Sequence, residues 1–277
     1  MTEPTDANRR FPDAREDLER WDRQPETAQT RSPSYRLAFS DGEFLTRDEL
    51  RPVRLQLELL KVEMALAERG IRSTIVMLGS ARIPDPEQAA GAVPGLARLA
   101  PFYDEAREFA RLATERALAT GNTEGVICTG GGPGIMEAGN RGALDAGGVS
   151  VSLNIVLPHE QVPNRFGTPD LSFNFHYFAI RKMHFLMRAR AVVVFPGGFG
   201  TLDELFEVLT LVQTRRMARL PILLFGEDFW QRVVNWQGLV EAGTVAAGDL
   251  ALMRYVRTPA EAMALIEQWG AGKAPTT

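Results

Sequence analysis

The stretch "VVVFPGGFGTLDEL", residues 192–205, carries the clearest signal of the fold. Its first four residues form a continuous apolar run, which is typical of a strand buried on both faces of a parallel sheet. One proline and three glycines follow and indicate a turn. The next segment, "TLDELFEVLTLVQT", has the pattern of a helix. The stretch is therefore a strand–turn–helix unit, whose glycines form either a simple turn or a loop that holds a phosphate.

The same alternation of apolar strands and helices repeats along the chain. Further strands are predicted at "STIVMLGS", "GVICTGGGPG", "VSVSLNIVLP", "SFNFHYF" and "LPILLFG", and helical segments lie between them. We therefore predict a doubly wound α/β fold, with a mostly parallel, Rossmann-like sheet and helices on both faces. Ligands of such sheets bind at the carboxyl ends of the strands, where the strand order reverses.

One domain is predicted for residues 46–270, preceded by a flexible tail of residues 1–45. The tail is rich in charged residues, Pro, Ser and Thr and has few aliphatic residues. The domain is expected to begin with an added helix, "TRDELRPVRLQLELLKVEMALAERG", because Thr46 and Glu49 have the spacing of a capping box.

Composition excludes several classes of function. The net charge of −4 and the pI of about 5.6 give no basic field for nucleic acid. No apolar run approaches the roughly 18 residues that span a membrane, and the N-terminus lacks the apolar core of a secretory signal. The single cysteine, Cys128, cannot form an intramolecular disulfide. The histidines are scattered and no cysteine pair exists, so we expect a cytoplasmic protein without a metal site.

Glycine-rich loops follow three of the predicted strands, at Gly79–Arg82, Thr129–Glu137 and Pro196–Glu204. Glycine lets the backbone approach a phosphate, and the N–H groups that open the next helix point at the anion. Neither the dinucleotide-binding pattern GxGxxG nor the Walker pattern is present in them. Because all three loops belong to one edge of the sheet, we predict a phosphate site there. Its candidate residues are Gly79, Ser80, Gly130, Gly131, Gly132, Gly134, Gly197, Gly198 and Gly200.

The segment "FAIRKMHFLMRARAVVVFPGGFGTLDELFEVLTLVQT", residues 178–214, resembles the signature region of the LONELY GUY (LOG) family, formerly labelled lysine decarboxylases. The family pattern is an Arg-Lys pair on a helix, a hydrophobic strand and then PGGxGTxxE. Here the pair is Arg181-Lys182 and the motif spans Pro196 to Glu204. The two earlier loops resemble the other family loops, and the resemblance covers roughly residues 72–240. Ala179-Ile180 stands where many members have His-Glu or His-Gln, and the N-terminal extension with its added helix is absent from the shortest members. Both features indicate a larger branch of the family.

The resemblance implies a phosphoribohydrolase without a cofactor. Such an enzyme cleaves the N-glycosidic bond of a nucleoside 5′-monophosphate, a cytokinin riboside monophosphate or AMP, to free base and ribose 5-phosphate. By the same resemblance Arg181 and Glu204 are the catalytic pair, and Thr201 and Thr210 hold phosphate and sugar with the PGGxGT backbone. Lys182 is a second phosphate candidate. The family also implies a homodimer or a higher homo-oligomer.

The residues alone leave alternatives open. Thr201 and Glu204 have capping-box spacing, so Glu204 is either a helix cap or a carboxylate beside a sugar. At a helix start that binds phosphate, Glu204 is expected to stay ionised. Glu137 either reaches a ribose hydroxyl or the base, or is only an acid at a helix start. At the level of function, the alternative is a non-catalytic carrier of a nucleotide or phosphorylated cofactor on the same fold.

Overall fold

The computed structural model of the chain describes residues 11–158 and 162–271. Seven strands in this part of the chain form one sheet, in the order β4-β3-β2-β1-β5-β6-β7. The strands are β1 Thr74–Leu78, β2 Val126–Thr129, β3 Ser150–Ile155, β4 Ser172–Phe175, β5 Ala189–Val194, β6 Ile222–Phe225 and β7 Arg254–Val256. All neighbours are parallel, which confirms the predicted fold class.

The helices connect these strands and cover both faces of the sheet. They are α1 Ala14–Asp22, α2 Gly42–Leu45, α3 Arg51–Glu68, α4 Pro94–Ala97, α5 Pro101–Leu118, α6 Ile135–Asp145, α7 Phe178–Met187, α8 Phe199–Gln213, α9 Glu227–Val233, α10 Trp236–Glu241 and α11 Pro259–Gly270. Because β1 lies between β2 and β5, the strand order reverses at β1 and β5. The carboxyl ends of these two strands therefore mark the expected ligand edge.

Two apolar layers hold the helices on the sheet. On one face, α5, α6 and α11 pack through side chains such as Phe109, Ile135 and Ile266. On the other face, the part of α3 from Glu58 onwards packs through Val62 and Leu66, together with α7 and α8. Successive residues of each strand point to opposite layers, which explains why the central strands are continuous apolar runs.

Contacts within the chain group it into two units, Met1–Leu57 and Glu58–Thr277. The first unit contains α1 and α2, within residues for which composition predicts little structure. Asp13 caps α1 by accepting from the Arg15 N–H, and Asp41 caps α2 by accepting from Glu43 and Phe44. Residues 1–10 of the predicted tail lie outside the described residues, and its end at residue 45 stays a prediction.

Some predicted boundaries are wrong for identifiable reasons. Thr46 does not begin a helix, because its Oγ1 donates back to the carbonyl groups of Gly42 and Glu43 at the end of α2. The segment "EDFWQRVVNWQGLVEAG" has the sequence pattern of a single helix, but it forms two, α9 and α10. Asn235 starts α10 by accepting from the Gly238 N–H at 2.9 Å. The three-residue strand β7 had no signal in the sequence.

The close approach of α5 and α6 gives a test of the fold. A Cβ at Gly142 would overlap the carbonyl oxygen of Arg107 and lie 2.9 Å from Ala110 Cβ. We expect Gly142→Ala to lower the free energy of unfolding by about 1–3 kcal/mol, although alanine favours helices more than glycine does. The measurement is the midpoint of thermal unfolding. Gly95→Ala is the control because a Cβ there meets nothing within 4 Å; equal midpoints for both variants would contradict the expectation.

Candidate functional site

The three glycine-rich loops meet at the carboxyl edge of the sheet. The Ser80 N–H donates to the Pro196 carbonyl at 3.1 Å, and the Ile135 N–H donates to the Ser80 carbonyl at 3.1 Å. The first loop therefore lies between the other two. The structure brings together the three segments that the sequence placed at one edge. Two of them follow β1 and β5, where the strand order reverses, and the third follows β2.

Two of the loop glycines are required by contacts between loops. Gly134 has φ of +67°, and a Cβ there would overlap the Ser80 carbonyl oxygen. At Gly79 a Cβ would lie 2.6 Å from the Ile135 side chain. These glycines allow the first and second loops to touch, so their presence alone does not indicate a phosphate ligand.

The second loop is fixed by two asparagines that sequence reasoning missed. Asn140 is fully buried, and its Oδ1 accepts from Thr129 Oγ1 and from Asn164 Nδ2, both at 2.8 Å. Asn164 donates its backbone N–H to Gly131 at 2.9 Å and its side-chain amide to Gly132 at 3.0 Å. The available signal for Asn140 was its position on the apolar face of the helical segment "IMEAGNRGALDAG". A polar side chain buried there must find a hydrogen-bond partner.

The third loop opens α8 and leaves its first turn accessible. A Cβ at Gly198 or Gly200 would meet nothing within 4 Å. Gly198 is the N-cap, and no described side chain caps the helix. The N–H groups of the first turn are thus free to bind an anion. At Gly197, by contrast, a Cβ would overlap Thr201 Oγ1, whose side chain is buried.

This helix start corrects the capping interpretation of Glu204. Because α8 begins at Phe199, Thr201 and Glu204 are the third and sixth helical residues and lie inside the helix. Neither side chain caps it. The helix begins two residues before Thr201, within the glycine-rich loop. Because glycine adopts many backbone conformations, the sequence does not show where this helix starts. The capping interpretation of Glu204 is therefore wrong, and its role as a carboxylate beside a sugar stays a prediction.

Arg181 and Glu204 form the centre of the site. The guanidinium Nη1 lies 3.5 Å from Glu204 Oε1, and the two side chains are only 10% and 17% exposed. Arg181 Nε donates to the Leu153 carbonyl at 2.7 Å, and its guanidinium carbon lies 5.0 Å from the centre of the Phe185 ring. A Cβ at Gly130 would overlap Arg181 Nη2. The glycine of the second loop therefore makes room for the arginine.

Burial sets the protonation of this pair. It raises the pKa of the Glu204 carboxyl to about 7, against the opposing effect of the Arg181 charge. Burial also lowers the pKa of Arg181, although an arginine remains a cation. The expectation that Glu204 stays ionised is therefore wrong near neutral pH, where Glu204 can both accept and donate a proton.

Lys182 faces α8 and is held by two carboxylates. Its Nζ lies 3.2 Å from Asp203 and 3.0 Å from Glu207. Burial lowers the pKa of Lys182, but hydrogen bonds to Glu207 and Asp203 outweigh this effect and leave the pKa raised. The lysine is thus a firmly charged link between α7 and α8, and the structure places carboxylates at the amine that was predicted to bind phosphate.

The Glu137 carboxylate accepts a hydrogen bond from a side chain of α5. Its Oε1 accepts from the Tyr103 hydroxyl at 2.8 Å. Arg141 lies 3.5 Å from the same hydroxyl, pairs with Asp85 at 2.7 Å and contacts the Phe166 ring at 5.3 Å. Burial raises the pKa of Tyr103, so its hydroxyl remains a donor. Glu137 is therefore part of a structural cluster beside the loops.

Thr210 is not brought to Glu204. It lies six residues further along α8, about 9 Å along the helix axis. Its Oγ1 donates back to the Phe206 carbonyl at 2.7 Å, and the residue lines a different cavity with Trp236 and Leu252. Within residues 11–158 and 162–271, no group of three His, Cys, Asp or Glu side chains is placed to hold a metal ion.

Comparisons with known proteins agree with the motif. The family model described as "Possible lysine decarboxylase" matches residues 136–266, which include Arg181 and Glu204. A protein of Oryza sativa subsp. japonica, "Probable cytokinin riboside 5'-monophosphate phosphoribohydrolase LOGL5", is 31% identical over 163 residues. The match covers 52% of this chain and 64% of the rice protein. The chain thus spans less than two thirds of the length of this relative.

Two further matches were found, one to a curated protein and one to a solved structure. The "Bifunctional cytokinin biosynthesis protein" of Fusarium pseudograminearum (strain CS3096) is 36% identical over 73 residues, which are 26% of this chain and 15% of that protein. The solved structure of the molybdenum cofactor binding protein from Rippkaea orientalis gives a TM-score of 0.45 at 17% identity, covering 72% of this chain and 97% of that one. This structural likeness is too low to carry an argument about function. Together, the family model and the two curated relatives support membership of the chain in the LONELY GUY (LOG) family.

Proposed function

We propose that the protein hydrolyses the N-glycosidic bond of a nucleoside 5′-monophosphate and releases the free base and ribose 5-phosphate. The observation that carries this proposal is the buried Arg181–Glu204 pair, 3.5 Å apart, at the edge where the three glycine loops meet. A site for this reaction needs an anchor for the phosphate, a carboxylate near the anomeric carbon and a fixed cation. The loops, Glu204 and Arg181 offer these three elements.

The open first turn of α8 is the proposed phosphate anchor. Gly198 and Gly200 leave space above the backbone, and the free N–H groups of the turn favour an anion. Glu204 lies one and a half turns further along the same helix, on the inner side with Arg181. A ribose held by its 5′-phosphate at the helix start can therefore extend towards Glu204.

Glu204 would act on the sugar in its ionised form. Departure of the base builds positive charge on the anomeric carbon, which a carboxylate stabilises. The same carboxylate can take a proton from the attacking water. The hydroxyl then bonds to the anomeric carbon as the bond from that carbon to the base nitrogen breaks, and Glu204 returns the proton to the departing base. A pKa of about 7 suits a group that both takes and returns a proton near neutral pH. Arg181 would bind the substrate as a permanent cation.

The lysine decarboxylase description of the family has less support in this chain. Decarboxylation with pyridoxal phosphate needs a lysine that can become neutral to form a Schiff base. Lys182, next to the site, has a raised pKa and two carboxylate partners. The name of the rice relative instead supports cleavage of a riboside monophosphate.

Location and assembly complete the proposal. None of the helices in the described residues is long and apolar enough to cross a membrane. A cytoplasmic location is part of the proposal, because a chain whose single cysteine, Cys128, is free and buried fits a reducing compartment. A homodimer or higher homo-oligomer remains the expectation from the family.

The activity can be tested directly. Purified protein incubated with AMP, and separately with isopentenyladenosine monophosphate, is expected to release free base and ribose 5-phosphate, both measured by chromatography. The corresponding nucleosides are the control, since without phosphate they lack the anchor and should react at least about 100-fold more slowly. Tight binding of the nucleotides without any release of base would contradict hydrolysis and favour a non-catalytic carrier.

Substitutions test the two central residues. Glu204→Gln keeps the shape but loses the charge, and we expect kcat to fall by about 10³-fold or more. Arg181→Lys keeps the charge but loses the Leu153 hydrogen bond and the planar contact with Gly130, so a loss of about 10²-fold is expected. Glu267→Gln, which removes a surface ion pair with Arg116, is the control. Full activity of Glu204→Gln would refute the assigned role.

The pH dependence tests the protonation state. Because the ionised form of Glu204 acts and burial raises its pKa to about 7, kcat/KM of the wild type should increase as the pH rises through about 7. The charge of Lys182 lowers the pKa of Glu204, so Lys182→Met should move the midpoint to higher pH. Titration of the substrate phosphate is common to both enzymes and cancels in this comparison. A rate that falls through the same range would mean that protonated Glu204 is the active form.

A further inference from the structure

The helix that precedes the sheet holds the start of α7. Glu58 on α3 accepts the backbone N–H of His176 at 2.7 Å through Oε1, and that of Tyr177 at 3.2 Å through Oε2. No described side chain of α7 itself caps this end. A carboxylate at a helix N-terminus also compensates the helix dipole. Glu58 therefore fixes, from another helix, the two residues that lead into α7.

The same helix also holds the end of α7. Glu63 pairs with Arg188, the C-cap residue of α7, and its Oε1 lies 3.7 Å from His184 Nδ1. The Glu63 and Arg188 side chains are 29% and 17% exposed, so solvent screens this pair less than a surface pair. Val62 of α3 lies in the same buried cluster as Phe185 of α7. Two carboxylates five residues apart thus fix both ends of one helix.

The residue between these two ends is Arg181. Its distance of 3.5 Å to Glu204 is already at the outer limit of a hydrogen bond. A ten-residue helix is too short to be stable by itself, so its position depends on its neighbours. A displacement of α7 by a fraction of an ångström would change the contact of Arg181 with Glu204.

We propose that Glu58 and Glu63 are positioning residues of the active site, which act through α7 to set the place of the Arg181 guanidinium against Glu204. This inference rests on the proposed hydrolase for its effect on the rate. It assigns a role to the helix that was identified only as an addition before the first strand. Neither carboxylate touches the reacting atoms in this arrangement.

The variants are Glu58→Ala, Glu63→Ala and their conservative forms Glu58→Gln and Glu63→Gln. Glutamine at position 58 still offers an oxygen to the His176 N–H, so Glu58→Gln should keep most of the activity, whereas Glu58→Ala should lower kcat by about 10-fold to 100-fold. If Glu63→Ala does not fold, Glu63→Gln replaces it, because it removes the charge that pairs with Arg188 but keeps the size of the side chain. Glu267→Ala removes the 2.7 Å pair with Arg116 and is the control for loss of an ion pair elsewhere.

Two measurements do not need catalysis. Hydrogen exchange reports whether the amides of residues 178–187 exchange faster in the alanine variants than in the control. The Glu204 carboxyl, followed by ¹³C NMR and assigned with Glu204→Gln, reports on Arg181, whose charge lowers the pKa of Glu204 against the effects of burial, Asp203 and Glu207. Displacement of Arg181 should raise that pKa, in the direction seen for Arg181→Ala.

The outcomes separate the two proposals. Faster exchange of α7, a raised pKa of Glu204 and a lower kcat, with recovery in Glu58→Gln, would support the inference. An unchanged pKa of Glu204 in folded Glu58→Ala and Glu63→Ala would overturn it, whatever the rate. A wild type that releases no base would refute the hydrolase alone, because the titration of Glu204 still decides whether the two carboxylates place Arg181.

Discussion

The burial of one guanidinium is the constraint on which the site depends. Arg181 reaches the second loop, the end of β3 and α8 at the same time, through Gly130, Leu153 and Glu204. A buried cation is costly unless its donors are paired. The carbonyl of Leu153, the Glu204 carboxylate and the face of Phe185 offset that cost. Glycine at position 130 follows from this arrangement, because any side chain there would displace the arginine.

The same burial makes the ionised form of Glu204 unfavourable for folding. A pKa raised from 4.5 to about 7 means that the folded state prefers the protonated carboxyl, by on the order of 3 kcal/mol. This contribution is fully present below pH 4.5 and is lost as the pH rises through about 7. At neutral pH a substantial fraction of Glu204 is therefore ionised in an environment that favours the protonated carboxyl. A pKa that burial shifts towards neutral pH is typical of groups that exchange protons during catalysis.

The fold was predictable because its signals are local. Apolar runs, several of them closed by glycines, specify strands of a parallel sheet without reference to the rest of the chain. The pairing of Arg181 with Glu204 came from a motif, since 23 residues separate the two positions in sequence. Asn140 and Asn164 were missed because their hydrogen bonds join distant segments. Lys182 was assigned to phosphate because its carboxylate partners become visible only when α7 and α8 lie side by side.

The glycines of the three loops other than Gly132 divide into two groups with different consequences. In the first group, at positions 79, 130, 131, 134 and 197, neighbouring atoms occupy the space where a Cβ would lie. These glycines therefore allow the close packing of the loops. Gly198 and Gly200 face open space at the start of α8. If the phosphate lies there, the anchor and Glu204 belong to one rigid helix, and their separation is fixed by helix geometry. Arg181 belongs to α7, so its distance from Glu204 depends on the relative position of α7 and α8. Lys182 controls it from the side of α8, and Glu58 and Glu63 control it from the side of α3.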